Sequence, residues 1–497
     1  MSKKFYFIFI ILIATFFISA CVDNNNNSIP DTDIPDTNTT DTTYDILINT
    51  QNQEGNVSPF LMGFGTIYSF EKDSWWSKGT GKLPKMLKRF NTGILRYPGG
   101  AVVNRYHWNN LNGQGWNDNW NPNYDVSNDL AATEFMNIDE YMENVTAMGT
   151  EPMLGINMGS GLKYNRVQDG INEAVALIQY CKDKGYDVKY WYLDNEAYHK
   201  GANYRMTADE YADQINLYVP ALRAVNPNIE IIINWESKIR SKNASLKTIV
   251  NKAGENIDII EVHWYWSWQN ATFDHWYSSF PMNTKNEWYD GLSFKEEIEA
   301  FQPLMNSLGH GHIKLASNEW NIAPGPDEAR TPSKFETALM ISEQFSQYID
   351  GGLFMACFCG VHWPHAEGNS VNRLILDPSK NYDENAAATI FELFADAMGG
   401  TKVSCESTLK GVYDIAVLDD EKDQLIIYVI NKKQSGETLS TGIDLKNYPI
   451  GSVTASSFTS GTHQNGELSN LMTNIENENR LIIDLPKNSF TKIVIKK

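Results

Sequence analysis

Cysteine is scarce. Five in 497 residues, irregularly spaced, make neither a disulfide framework nor a zinc-ligand pattern. Cys181, Cys357, Cys359 and Cys405 sit mostly in apolar surroundings and read as buried free thiols. Cys357-Phe358-Cys359 falls in an expected strand, whose alternation would point both thiols the same way. Positive charge is also in deficit: 41 Lys and Arg stand against 61 Asp and Glu, a net charge of −20. With no basic patch, a general nucleic-acid role is excluded and a polyanionic ligand is disfavoured. There is no 20–50-residue repeat, and Asn157-Met158-Gly159-Ser160-Gly161 lacks the Gly-x-Gly-x-x-Gly pattern of a phosphate cradle.

Long apolar runs are missing after the first 21 residues. Lys3 and Lys4 precede an apolar stretch, Phe5 to Phe17, and Ile18-Ser19-Ala20-Cys21 follows. That is an export signal rather than a spanning helix. Its end resembles a bacterial lipoprotein signal, which would leave Cys21 as a lipidated N-terminus; an ordinary cleaved signal is the alternative. Residues 22–43, rich in Asn, Asp, Thr and Pro, cannot build a core and read as a disordered tether. The expected location is outside the cytoplasm, lipid-anchored at the outer membrane or cell surface of a Gram-negative bacterium, so the membrane is one expected partner.

From about 55 to 397 short apolar segments alternate with longer helical patterns. Strands are expected near Phe60–Ile67, Gly93–Tyr97, Pro152–Asn157, Val188–Asn195, Glu230–Asn234, Ile257–Trp264, His312–Glu319 and Leu353–Val361. Helical character fills Pro84–Phe90, Ile138–Met148, Ile171–Lys184, Thr207–Val225, Phe294–Leu308 and Lys334–Tyr348. Eight strands with crossover helices indicate an α/β fold, a (β/α)8 TIM barrel. From 398 to 497 the segments turn short and alternating, as in a C-terminal antiparallel β-sandwich domain, which residues 44–51 could join as a further strand.

Two of the barrel segments end alike: Tyr192-Leu193-Asp194-Asn195-Glu196 and Leu315-Ala316-Ser317-Asn318-Glu319-Trp320. An Asn-Glu dipeptide alone means little. In this fold, however, the C-terminal strand ends converge on one face whatever their sequence separation. Two carboxylates meeting there suit glycosidic hydrolysis, one as acid and the other as nucleophile or as base toward water. Asn195 and Asn318 could donate hydrogen bonds beside them without adding charge. Arg96, before Pro98-Gly99-Gly100, could steady a carboxylate, and Asn157 ends the third strand.

Aromatic residues gather on the same expected face. Tyr106, His107, Trp108, Trp116 and Trp120 follow the second strand, while His263, Tyr265, Trp266 and Trp268 end the sixth. Trp320 follows Glu319, and His362 and Trp363 end the eighth. Flat apolar walls with polar donors suit sugar rings, so the expected partner is a polysaccharide or oligosaccharide. His263 with His275 lacks a third metal ligand, and neither metal nor cofactor is expected.

On these residues the chain resembles the clan-A retaining glycoside hydrolases. The resemblance implies Glu196 as acid/base and Glu319 as nucleophile. Arg96–Gly100, Asn157–Gly161, Tyr190–Glu196 and Glu319-Trp320-Asn321 are similar to family 51 α-L-arabinofuranosidases, although Asp194 stands where that family usually has Gly. Asn165–Gly170, Leu193–Glu196, His263–Trp268, Asn318 and Trp363-Pro364 are similar to family 86 agarases and porphyranases, the nearer resemblance. That implies retaining endo-hydrolysis of β-1,4 bonds in a red-algal galactan. An exo-acting α-L-arabinofuranosidase and a non-catalytic surface glycan-binding protein are the alternatives.

Overall fold

The computed structural model describes residues 44–110, 117–128, 135–236, 244–283, 291–325, 330–433, 438–461 and 465–497. The signal, the tether, Cys21 and Trp116 lie outside the described residues.

Strand β1 (Ile46–Asn56) comes first. Eight parallel strands then close a barrel in chain order: β2 (Gly63–Gly65), β3 (Ile94–Tyr97), β4 (Glu151–Ile156), β5 (Tyr190–Leu193), β6 (Glu230–Asn234), β7 (Ile259–Trp266), β8 (Lys314–Ile322) and β9 (Met355–Phe358). The β2–β9 pairing closes the ring. This is the TIM barrel expected from the alternation of elements. The first strand is shorter than expected because Pro59–Leu61 turns into a 3-10 helix, and a 3-10 turn, Val126–Asn128, follows Asp125. Helices Ala244–Ala253 and Ala386–Phe394 were not foreseen.

Local chemistry starts the outer helices. Asn137, Thr207, Ser293 and Ser333 each open one with a reciprocal capping box to a Glu three residues on, which satisfies two otherwise orphaned N–H groups. Packing against the barrel then provides most of the stabilisation.

Inside the barrel, side chains stack in layers. Ile94, Met153, Tyr190, Ile232, Ile259, Ala316 and Met355 form the apolar plug. Two residues further along the same inward face, the chemistry turns polar: Arg96, Tyr192, Asn234 and Glu261, all buried. The period-2 alternation of a strand thus delivers a dry floor and a polar ceiling at the C-terminal mouth.

A hairpin, β10 (Leu376–Asp377) and β11 (Asp383–Glu384), precedes the C-terminal strands. These are β12 (Thr401–Ser407), β13 (Val412–Leu418), β14 (Gln424–Asn431), β15 (Thr438–Lys446), β16 (Ser452–Thr459), β17 (Glu467–Asn470), β18 (Thr473–Asn477), β19 (Arg480–Pro486) and β20 (Ser489–Lys496). They form one hydrogen-bonded sheet of ten strands, ordered β17-β16-β20-β14-β13-β12-β1-β15-β19-β18. It curls so that β16 near one end meets β18 and β19 at the other, over a shared apolar core. The sandwich shape therefore comes from a single continuous sheet, mostly antiparallel, with β1 between β12 and β15 and parallel to β15.

Helix Lys334–Gly351 is almost wholly buried between the barrel and this sheet. Three of its polar residues tie elements together. Glu343 pairs with Lys432 just past β14 at 2.8 Å, Gln344 Nε2 donates to the Trp264 carbonyl at 3.1 Å, and Gln347 Nε2 donates to the Met282 carbonyl at 2.9 Å. Among the described residues no helix is long and apolar enough to cross a membrane.

Candidate active site

Glu196 follows β5 in a turn of unusual backbone: Asp194 and Glu196 have φ of 57° and 47°. Left-handed conformations are uncommon outside Gly and must be held by their surroundings. Here side-chain amides do the holding. The Asn104 Oδ1 accepts from the Asn195 N–H and its Nδ2 donates to the Asn195 carbonyl, both at 2.8 Å. Asn234 Oδ1 accepts from the Glu196 N–H at 2.8 Å. Asp194 accepts from the Met158 N–H at 3.0 Å, and burial pushes its carboxyl up to about 7.

Glu319 lies within β8, and a bulge aims it. Across β7, Ala316 pairs with Glu261 but Glu319 pairs with His263, one residue out of step; the β9 pairing shifts at the same place. An extra residue in one strand re-aims the side chains beyond it. It brings Glu319 beside His263, while Asn318 stays buried under it. Gly99 and Gly100 pass close by: a Cβ on Gly99 (φ 79°) would lie 1.5 Å from the Thr66 carbonyl oxygen, so no side chain fits there.

Arg96, 1% exposed, is the hub. Its Nη1 donates to Glu319 Oε1 at 2.8 Å and to the Asn318 carbonyl at 3.3 Å, and its Nη2 donates to Asn195 Oδ1 at 2.8 Å. The Tyr192 ring lies 4.4 Å beneath its guanidinium. Tyr265 donates its hydroxyl hydrogen to Glu319 Oε2 at 3.0 Å. His263 Nδ1 lies 3.0 Å from Glu196 Oε1 and 3.6 Å from Glu319 Oε2. Those two distances cap the separation of the two oxygens at about 6.6 Å. That favours the roughly 5–5.5 Å spacing of double displacement over the roughly 6.5–9.5 Å of inversion.

Burial would lower the His263 imidazole, but the charge of Glu319 and the hydrogen bond to Glu196 outweigh it and raise its pKa. Burial would likewise raise Glu196, but the His263 hydrogen bond and charge outweigh it and hold this carboxyl below its ordinary range. The two groups share a hydrogen bond, so their titrations are linked. A recess opens beside Glu319, with Thr66, Ile67, Glu71, His362 and Trp363 among its walls.

The other expected site residues fall in several places. Trp363 lines that recess, with the Arg373 guanidinium 4.7 Å from its ring. Trp268 is 45% exposed and meets Tyr265 edge-on at 5.8 Å. Trp320 instead lies on the outer face of β8, fully buried against Phe345, Tyr348, Phe358 and Phe391. Trp266 is 1% exposed and donates to the Asn283 carbonyl at 2.9 Å. Neither can reach a sugar; for both, the expectation of substrate contact is corrected by the strand alternation, which turns them away from the mouth.

Tyr106 is buried with its hydroxyl 2.9 Å from that of Tyr97. His107 is held between Glu173 (2.8 Å) and Asp118 (3.2 Å), whose hydrogen bonds overcome burial and push it up to about 9. Trp108 donates to the Glu173 carbonyl at 3.0 Å, and Asn157 exchanges bonds with Ser160 at 2.8 and 3.0 Å. Tyr106 and His107 are buried under the loops over the barrel, which corrects the expectation that they touch substrate, whereas Trp108 and Asn157 keep partly exposed surface beside a small recess. Asn318 has no exposed surface. Its place is under the site rather than in it. Sequence reasoning missed Asn104, Asn234 and Glu261; for Asn234 and Glu261 the available signal was a polar residue within an otherwise apolar barrel strand, while Asn104 sits in the 3-10 turn Gly100–Arg105 after β3. Among the described residues no group of three or more His, Cys, Asp and Glu is set to hold a metal.

A closed eight-stranded barrel with glutamates ending its fourth and seventh strands is the arrangement to which the clan-A glycoside hydrolases are similar. The particular likeness is narrower. The family model "Alpha-L-arabinofuranosidase 1 domain" matches residues 86–285. Alpha-L-arabinofuranosidase C of Emericella nidulans is 29% identical over 163 residues, 30% of each chain. An intracellular exo-alpha-(1→5)-L-arabinofuranosidase of Bifidobacterium longum is 27% identical over 191 residues, 36% of this chain and 33% of its own. The chain thus spans about a third of the length of these curated relatives. Among solved structures, the alpha-L-arabinofuranosidase of Thermotoga maritima superposes with a TM-score of 0.67 at 17% identity, over 92% of this chain and 100% of that one. These matches overturn the agarase and porphyranase expectation: the family model and both curated relatives are arabinofuranosidases. Of the residues behind that expectation, Asn318 lies buried under the site and Arg166–Asp169 forms an exposed ion pair.

Proposed function

We propose that this chain is an exo-acting α-L-arabinofuranosidase that works by double displacement with retention. The observation that carries the reading is the Glu196–His263–Glu319 cluster at the barrel mouth, within a chain whose residues 86–285 match an arabinofuranosidase domain. Glu319 is the nucleophile: Arg96 and Tyr265 hold both its oxygens and keep it aimed. Glu196 is the acid/base, a third exposed and so reachable by leaving group and water. When a sugar fills the recess, water leaves, the cost of a charged Glu196 rises, and the proton moves from His263 to arm the acid. Asn195 spends its carbonyl on Arg96 and keeps its amide nitrogen for a sugar hydroxyl. Trp363, in the recess beside Glu319, and the exposed Trp268, against Tyr265, offer apolar faces for a sugar.

Incubation with 4-nitrophenyl α-L-arabinofuranoside and with arabinan tests this. Free arabinose of retained configuration, seen first as the α-anomer by NMR, is the expected product. Oligosaccharides without free arabinose, or immediate β-arabinose, would overturn it, and sugar binding without turnover would favour a glycan-binding role. We also propose export and lipid anchoring through Cys21, supported by the apolar run that ends there. Cys21→Ser should abolish partition into detergent, and unchanged partition would reject the anchor.

A further inference from the structure

Beneath the two glutamates lies a third carboxylate that the reaction as described does not use. Glu261 is on β7, two residues before His263 and therefore on the same inward face. It has no exposed surface, and its oxygens make no hydrogen bond of ordinary geometry. Its neighbours are cations. Arg96 Nη2 lies 3.7 Å away and His263 Nε2 lies 4.0 Å away. Burial, first, and the charge of Glu319 raise its pKa, and Arg96, His263 and the adjoining Asn318 amide offset that rise only in part. The remaining titratable groups around it are Glu319 from β8, Tyr192 from β5, Cys357 from β9 and Tyr211 from the helix outside β5. Burial keeps the tyrosines and the thiol neutral.

Resting on the reading above, we propose that Glu261 is a positioning residue acting through charge: it shares Arg96 with the nucleophile and remains as the counter-charge when that of the nucleophile is consumed. The charge accounting is direct. In the first step an oxygen of Glu319 bonds to the anomeric carbon, the bond from that carbon to the leaving oxygen breaks, and the Glu196 proton passes to that oxygen. Negative charge leaves Glu319 and appears on Glu196. His263 faces both carboxylates, so it keeps a partner throughout. Among the described residues Arg96 makes its ion pairs with Glu319 and Glu261 alone. Once Glu319 is an ester, the buried guanidinium has Glu261 for balance, and a buried charge left without any would be strongly destabilising. In the resting site the sharing has a second effect: Arg96 is held back from neutralising Glu319 fully, which preserves its nucleophilicity.

Removing this negative charge favours the ionised form of each nearby acid and disfavours the imidazolium. Every titration in the cluster should then move to lower pH. Glu261→Gln in the full chain is expected to shift both limbs of the kcat/KM–pH profile on 4-nitrophenyl α-L-arabinofuranoside down by about one unit. Glu261→Asp, which keeps the charge, should restore them. A profile that falls in height with its limbs unmoved would mean a packing role and overturn the proposal. Selective 15N-histidine NMR supplies a readout independent of turnover. His263 should titrate above the ordinary imidazole value in the native chain and lower in Glu261→Gln. A native His263 at or below that ordinary value overturns the proposal even if the variant does not fold. If the native chain cleaves no glycoside, the functional reading falls, and the imidazole titration alone decides this one.

Discussion

The segments that deliver Glu196 and Glu319 carry the same Asn-Glu pair on different backbones. At Glu196 the strand has ended, and two left-handed residues, each costing roughly 1–2 kcal/mol, turn the chain under the grip of Asn104 and Asn234. At Glu319 the strand continues to Ile322, and a bulge does the aiming without leaving the ladder. The Glu196 side chain is 33% exposed and that of Glu319 is 11%. Under the proposed mechanism, the group that would trade protons with a leaving oxygen and with water sits on a turn that solvent reaches. A group that must hold one charge at one point sits in a strand, clamped from both sides. The dipeptide does not decide the role; the way each segment leaves the barrel wall does.

The comparison can be broken at its strongest point first. Glu319→Gln keeps the shape and removes the nucleophile, and turnover should fall by on the order of 10⁴-fold or more with an unchanged thermal midpoint. Retained activity would end the assignment. Glu196→Ala should be less uniform. Cleavage of arabinan, with its poor leaving group, should drop about 10²–10⁴-fold. Release of 4-nitrophenol should drop far less in the first step, and azide should restore it as a glycosyl azide of retained configuration. Equal losses on both substrates would remove the acid/base role.

Trp320→Ala probes the neighbour of Glu319 on the opposite face. Emptying a site packed by four aromatic rings should lower stability by about 3–5 kcal/mol in denaturant melts, with kcat/KM of the folded fraction close to native. A lost activity at full stability would return Trp320 to the substrate. The effect confined to pH dependence is expected at Asp194, whose carboxyl is pushed up to about 7 by burial. A carboxyl raised in the folded state lends stability below its unfolded pKa, and that stability is lost as pH rises through the folded value. Between pH 4 and 7 the native chain should therefore lose stability relative to Asp194→Asn. Parallel Tm–pH curves for the two would show that Asp194 does not titrate there.

The barrel and the strand-end positions of both glutamates were legible because crossover helices and alternation are local signals. The bulge in β8 was not, since it exists only relative to the registers of β7 and β9. Trp266 and Trp320 misled for a related reason. In a parallel barrel covered by helices, outward residues are as apolar as inward ones, so an aromatic next to a glutamate carries no mark of its face. Glu261 was legible and overlooked: an acid between Ile260 and Val262 in a strand that has no wet side has to have a partner. The substrate misreading came from Asp194 and Asn318, whose side chains answer to burial and backbone geometry rather than to a sugar.

Strand β1 precedes the whole barrel in the chain yet lies in the middle of the C-terminal sheet, between β12 and β15. The polypeptide lays down one strand, detours through eight barrel units, and returns to complete the sheet around it. No single cut separates the two halves, and a truncation after β9 would strand β1 and wet the helix Lys334–Gly351. In evolutionary terms barrel and sheet are inherited together: one recombination crossover cannot exchange either alone, and any new module has to be appended outside the pair.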